Sequence, residues 1–105
     1  MEWPPNNGFT HFNLIEMTLD AGMIISRYGD ENGSYAANLN TPFWQRSLPL
    51  EYYDKPFRAY RVLKPITGVL QGRSAAHFGM LGCGTQYKLP QRIDYLVHHG
   101  YLESL

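Results

Sequence analysis

Four residues of this chain have types and places suited to chemistry: Arg27, Tyr35, Arg46 and Gln86, each at the edge of a turn-rich stretch. Guanidinium forks match phosphate oxygens and keep their charge at any working pH. A phenol and an amide add a ring face and neutral hydrogen-bonding groups. Gln86 follows the run Gly79-Met80-Leu81-Gly82-Cys83-Gly84-Thr85, with three glycines in six positions. Lacking a Cβ, glycine lets main chain come close to another group. Composition leaves that run equally a hairpin turn or a ligand loop. Taken singly, each of the four reads as readily as a surface or core residue, and an exposed strand-end arginine is the commoner fate of a residue such as Arg27.

Other chemistries lack a signature. His98 and His99 are adjacent on a helical stretch and point about 100° apart, while His11 and His77 are distant in sequence, so no metal site is expected. Their place near a helix C-terminus explains the pair through the helix dipole. Cys83 is the single cysteine and has no neighbouring base, which argues against a thiol nucleophile, a disulfide framework and a cysteine zinc site. The acidic residues are scattered, giving neither a two-carboxylate glycosidase spacing nor a calcium loop.

Length and composition set the frame. The 105 residues fit one domain, 1–105. Hydrophobic residues reach 44% and charged ones only 17%, which excludes a disordered chain. With eight Tyr, five Phe and two Trp, burial rests on rings that keep a polar tip. Nine basic residues cancel nine acidic ones, so no nucleic-acid partner is expected. No apolar run approaches the roughly 20 residues that span a bilayer, and membrane insertion by this domain is not expected. Met1-Glu2-Trp3-Pro4-Pro5 lacks the pattern of a signal peptide and reads as the start of a domain cut from a longer protein.

The elements that must position the four residues read as a small, strand-rich α+β domain with mainly antiparallel sheet and a C-terminal helix at about 90–99. Residues 3–9 form an irregular opening pinned by Trp3 and Phe9. Residues 12–22 alternate poorly, and Asp20-Ala21-Gly22 reads as a turn. A strand follows over 23–28, with Ile25 and Arg27 facing opposite to Ile24 and Ser26. Residues 41–50 are a packed connector with at most a turn of helix. Strands are expected at 57–64, 66–71, with a bulge or turn at Gly68, and 85–88. Pro90 at a first helical position, apolar Ile93, Leu96 and Val97, and Gly100 as the stop define the helix.

Over almost its whole length the sequence resembles the tuberculosis necrotizing toxin (TNT) domain family of NAD glycohydrolases. The matching pieces run in family order: Trp3-Pro4-Pro5-Asn6 with Gly8-Phe9, Arg27-Tyr28-Gly29 with Gly33-Ser34-Tyr35, and Thr41-Pro42-Phe43 with Gln45-Arg46 and Leu48-Pro49. Lys55-Pro56-Phe57 with Tyr60, Val62, Lys64 and Pro65 follows, then Phe78-Gly79 leading to Gly82-Cys83-Gly84-Thr85-Gln86-Tyr87, then Leu89-Pro90 and Gly100-Tyr101-Leu102. The chain departs from the family at Arg58, where some members have histidine, and at Cys83, where many have a further glycine.

The resemblance implies an NAD(P)+ glycohydrolase toxin that cleaves the nicotinamide–ribose bond, with Arg27, Tyr35 and Gln86 catalytic and Arg27, Arg46, Gly82 and Phe9 binding substrate. In that picture the two arginines hold the pyrophosphate, Tyr35 stacks on or shapes the nicotinamide pocket, Gln86 orients the ribose or water, and Gly82 lets its loop lie against the dinucleotide. No metal and no cofactor beyond the NAD or NADP substrate are expected. Toxin relatives further imply the C-terminal part of a larger exported protein, delivery into a target-cell cytosol, and a cognate immunity protein. Two other functions compete: an ADP-ribosyltransferase acting on a macromolecule, for which no matched motif supplies the usual glutamate, and a non-enzymatic interaction module.

Overall fold

A computed structural model describes residues 14–46, 48, 50–73 and 84–105. Its strands are β1 (Ile15–Leu19), β2 (Ile24–Tyr28), β3 (Tyr35–Asn38), β4 (Phe57–Val62), β5 (Ile66–Arg73), β6 (Thr85–Lys88) and β7 (Leu102–Ser104), with one α-helix, α1 (Ile93–His98). Two short 3-10 turns, Phe43–Gln45 and Leu50–Asp54, lie between β3 and β4. The strands form one sheet in the order β1-β5-β6-β3-β2-β4-β7, every pair antiparallel.

Strand pleating assigns side chains to two faces, because residues directly opposite on paired strands point the same way. Ile25 pairs with Tyr60, Val62 with Leu102 and Ala36 with Tyr87. These belong to one buried cluster with Leu19, Ile66, Val69 and Leu89, closed by Ile93 and Leu96 of α1. Burying two such helix side chains supplies roughly 1.5–3 kcal/mol each. On β2 the next residue, Ser26, is as fully buried as Ile25. The centre of the sheet is therefore covered on both sides.

The expected strands at 23–28, 57–64, 66–71 and 85–88 all form, and Gly68 carries φ +71° opposite the register shift between Met17 and Leu19. Asp20-Ala21-Gly22 is a turn, with Gly22 at φ +96°. β1 was not legible: it is an edge strand whose Ile15 is exposed and whose pairing is interrupted by that shift, so its burial does not alternate. β7 is only three residues long and borrows its order from β4.

The helix begins at Ile93, three residues later than its sequence pattern indicates. Ile93 N donates to Gly33 O and Asp94 N to Glu31 O, so carbonyls from the loop before β3 take up the first helical N–H groups. Pro90 lies ahead of the helix. Gly100, at φ +79°, ends it with Gly100 N donating to Val97 O and Tyr101 N to Leu96 O.

Candidate functional site

Arg46 follows the Phe43–Gln45 turn, and its backbone N–H donates to Phe43 O. Its side chain folds back over β2, where Nη2 donates to Ser26 Oγ at 2.9 Å and Nε to Thr41 O at 2.9 Å. Ser26 Oγ in turn donates to Asn38 O at 3.0 Å. The guanidinium carbon lies 5.0 Å from the centre of the Tyr28 ring and 5.5 Å from that of Phe57. Tyr28 also meets Phe43 and Phe57 edge-on, which holds the rings in place. Only 7% of Arg46 is exposed. Burial pulls its pKa down to about 10, still high enough for a full charge at neutral pH.

The face that Arg46 covers extends across three strands. Ser26 pairs with Ala37 and Ala37 with Gln86, so the three stand side by side and point the same way. Two residues along β3, Tyr35 shares this face and pairs with Lys88. Burial raises the Tyr35 pKa, which keeps its hydroxyl neutral. β6 is pressed against the Arg46 segment at Gly84, whose N–H donates to Gln45 O at 3.0 Å. A Cβ at Gly84 would lie 2.6 Å from Thr41 Cγ2 and 2.7 Å from Gln45 O, so only glycine allows this approach.

Arg27 leaves β2 on the opposite, helix-covered face, beside Ile25. Its Nε donates to Asp30 O and its Nη1 to Tyr35 O, at 2.6 and 2.9 Å, and Nη2 lies 3.8 Å from the Asp30 carboxylate. Gly33 rests directly on this guanidinium: an added Cβ would sit 2.7 Å from Cζ and closer still to Nη2. Burial lowers the Arg27 pKa. The loop over residues 29–34 is held from the same side by Arg58, whose Nε donates to Gly29 O, and by Tyr60, whose hydroxyl donates to Glu31 Oε2 at 2.7 Å. Arg27 thus braces the backbone from which Tyr35 emerges.

Of the residues singled out from sequence, Tyr35, Arg46 and Gln86 come together on one face, and Arg27 reaches them only through the Tyr35 carbonyl. Phe9, Gly82 and Cys83 lie outside the described residues. Ser26, Gly84 and Lys88, which share or adjoin this face, were not singled out from sequence. A serine inside an otherwise apolar strand start was a signal for Ser26; the place of Lys88 depends on strand register, which sequence does not reveal. Among the described residues no group of three or more His, Cys, Asp or Glu side chains is arranged to hold a metal ion. The shared face offers neutral hydrogen bonds, a phenol ring and a fixed buried cation, and β2, β3 and β6 place no carboxylate there. It suits binding and charge stabilisation better than proton transfer.

A family model described as tuberculosis necrotizing toxin matches residues 18–105. The conidial surface nicotinamide adenine dinucleotide glycohydrolase nadA of Aspergillus fumigatus is 33% identical over 115 aligned positions, spanning 98% of this chain and 49% of that protein. The chain thus spans about half the length of this curated relative. Among solved structures, tuberculosis necrotizing toxin complexed with its immunity factor IFT superposes with a TM-score of 0.80 at 21% identity, covering 96% of this chain and 60% of that one. Rhs1-CT in complex with its cognate immunity protein RhsI1 gives 0.65 at 21% identity, with 97% and 83% covered. At such identities these structures establish the shared fold.

Proposed function

Because the chain belongs to the tuberculosis necrotizing toxin family, we propose that it is an NAD(P)+ glycohydrolase whose reaction takes place on the sheet face shared by Tyr35, Gln86 and Arg46. The observation that carries this reading is the Ser26–Ala37–Gln86 row, which puts a glutamine on the same sheet face as a buried, charged arginine, where β2, β3 and β6 supply no carboxylate.

The bond that breaks joins C1′ of the ribose to the pyridinium nitrogen. Nicotinamide leaves with the bonding pair and becomes neutral, so the leaving group needs no general acid. The ribose passes through an oxocarbenium-like state, and water adds at C1′ and loses a proton to solvent, giving ADP-ribose, or its phosphate from NADP. Positioning and electrostatic stabilisation do most of what is required. Gln86 orients the ribose or the attacking water. Tyr35 stays neutral and shapes the nicotinamide pocket. Arg46 supplies a fixed positive field toward the phosphates, and Arg27 holds the loop that presents Tyr35. The family resemblance also assigns Phe9 and Gly82 to substrate binding; both lie outside the described residues.

Toxin relatives extend the proposal. The domain acts in the cytosol of a target cell after delivery as part of a longer exported protein, and a cognate immunity protein restrains it. Support comes from the family and from two structural neighbours solved with immunity partners.

The test is loss of NAD on incubation with purified protein. Turnover is expected, and Gln86→Ala should lower it roughly a hundredfold while the protein stays folded. An inactive wild type, or full activity in folded Gln86→Ala, would sink the assignment.

A further inference from the structure

We propose that Lys88 is the residue that contacts the substrate's pyrophosphate; this rests on the NAD reading above and adds a contact that the family resemblance does not supply. Lys88 pairs with Tyr35 and lies two residues beyond Gln86 on β6, so the three side chains leave one face of adjacent strands. Directly opposed Cβ atoms are about 5 Å apart, and the step from Gln86 is about 7 Å. Tyr87, between them, points the other way into the core and donates its hydroxyl to Asn38 Oδ1 at 2.7 Å.

A count of cation donors separates Lys88 from the arginines. Arg46 is buried, with Nε and Nη2 engaged, and Arg27 spends Nε and Nη1 on backbone carbonyls beneath the sheet. Among the described residues, no hydrogen bond or ion pair engages the Lys88 ammonium. The carboxylate in its own row is Glu16, on the far side of Leu70 and two strands away, roughly 10 Å. Lys88 is half-buried, so its side chain is neither shut off from a ligand nor fully out in solvent. An unpaired ammonium there is poised for an anion near a nicotinamide ribose placed by Gln86 and Tyr35. In NAD that anion is the pyrophosphate, joined to the ribose through its 5′ carbon.

Steady-state kinetics with Lys88→Ala, Lys88→Gln and Lys88→Arg test this. Because the side chain is half-exposed and unpaired, all three variants should fold, and circular dichroism checks it. The expected result is a KM for NAD raised about tenfold in the Ala and Gln variants, kcat within about twofold of wild type, and near-wild-type behaviour for Lys88→Arg. ADP-ribose binding by calorimetry should weaken by a similar factor, and nicotinamide inhibition should be unchanged. KM for NADP should rise equally. An unchanged KM and ADP-ribose affinity overturns the proposal, and so does a loss confined to NADP, which would assign Lys88 to the 2′-phosphate. Failure of the NAD reading is separate, since it appears as a wild type that turns over neither dinucleotide.

Discussion

The two faces of the sheet come from the same strands but bury different things. On the helix side, Ile25, Tyr60, Val62 and Leu102 pack under Ile93 and Leu96, and the polar groups at the rim are tied to one another or to backbone. On the other side, Ser26 and Ala37 lie beneath a buried arginine and an aromatic cage, with Gln86, Tyr35 and Lys88 alongside. Burial on the first face is apolar and contributes stability. Burial on the second desolvates a charge, which costs stability and leaves a fixed positive field in place. The two arginines singled out from sequence lie on different faces: Arg27 braces a loop, and Arg46 lies over the candidate site. The difference shows that a guanidinium is placed by its donors, not by its position in a motif.

Adjacent residues on β6 give the sharpest contrast. Gln86→Ala should abolish most turnover, about a hundredfold, while the protein stays folded. Tyr87→Phe, one residue on, should keep activity and lose about 1 kcal/mol by chemical denaturation, the worth of the hydrogen bond to Asn38. Equal effects of the two on turnover would erase the distinction between the faces.

Arg46→Ala is expected to cost about 3 kcal/mol in urea unfolding, since Ser26 Oγ and Thr41 O lose their donor and the cage loses its packing. Gly84→Ala should cost about 1–3 kcal/mol through overpacking and should also lower turnover, because the contact it disturbs sets β6 against the Arg46 segment. Gly33→Ala should cost less, since the flexible end of Arg27 can yield where the Gln45 backbone cannot.

The smallest effect is in the pH dependence. The pKa values of Tyr35, Tyr60 and Tyr87 are all raised by burial, and for Tyr60 also by its bond to Glu31. Folding therefore retains phenolic protons that the unfolded chain releases near pH 10, so this contribution is complete below that value and is lost as pH rises further. Denaturation at pH 9 and 11 should show the fall, and Tyr60→Phe should make it shallower while costing about 1 kcal/mol at neutral pH.

Much of the architecture was legible locally. The alternation of Tyr60 and Val62, the strand before Gly29 and the stop at Gly100 express short-range patterning that the fold preserves. β1, β3 and β7 were not legible: β1 and β7 are edge strands with one neighbour, and β3 is a four-residue Tyr-Ala-Ala-Asn run too short and small-chained to show alternation. The helix start was misplaced because the acceptors for its first N–H groups come from Gly33 and Glu31, some sixty residues earlier. For the candidate site, residue types and motif order picked out Arg27, Tyr35, Arg46 and Gln86 but could not say which faces they share.

The residue types alone settled an α+β class and the lack of a broad cationic field, since composition and local periodicity suffice for these, while the polar candidates took their roles from the ordered family motifs. Tertiary structure decided that Arg27 and Arg46 approach the sheet from opposite sides, that Gly84 is a point of close contact, and that Lys88 stands beside Tyr35. These facts follow from the pairing of β2, β3 and β6 in one register, where a slip of a single residue would send every side chain to the other face.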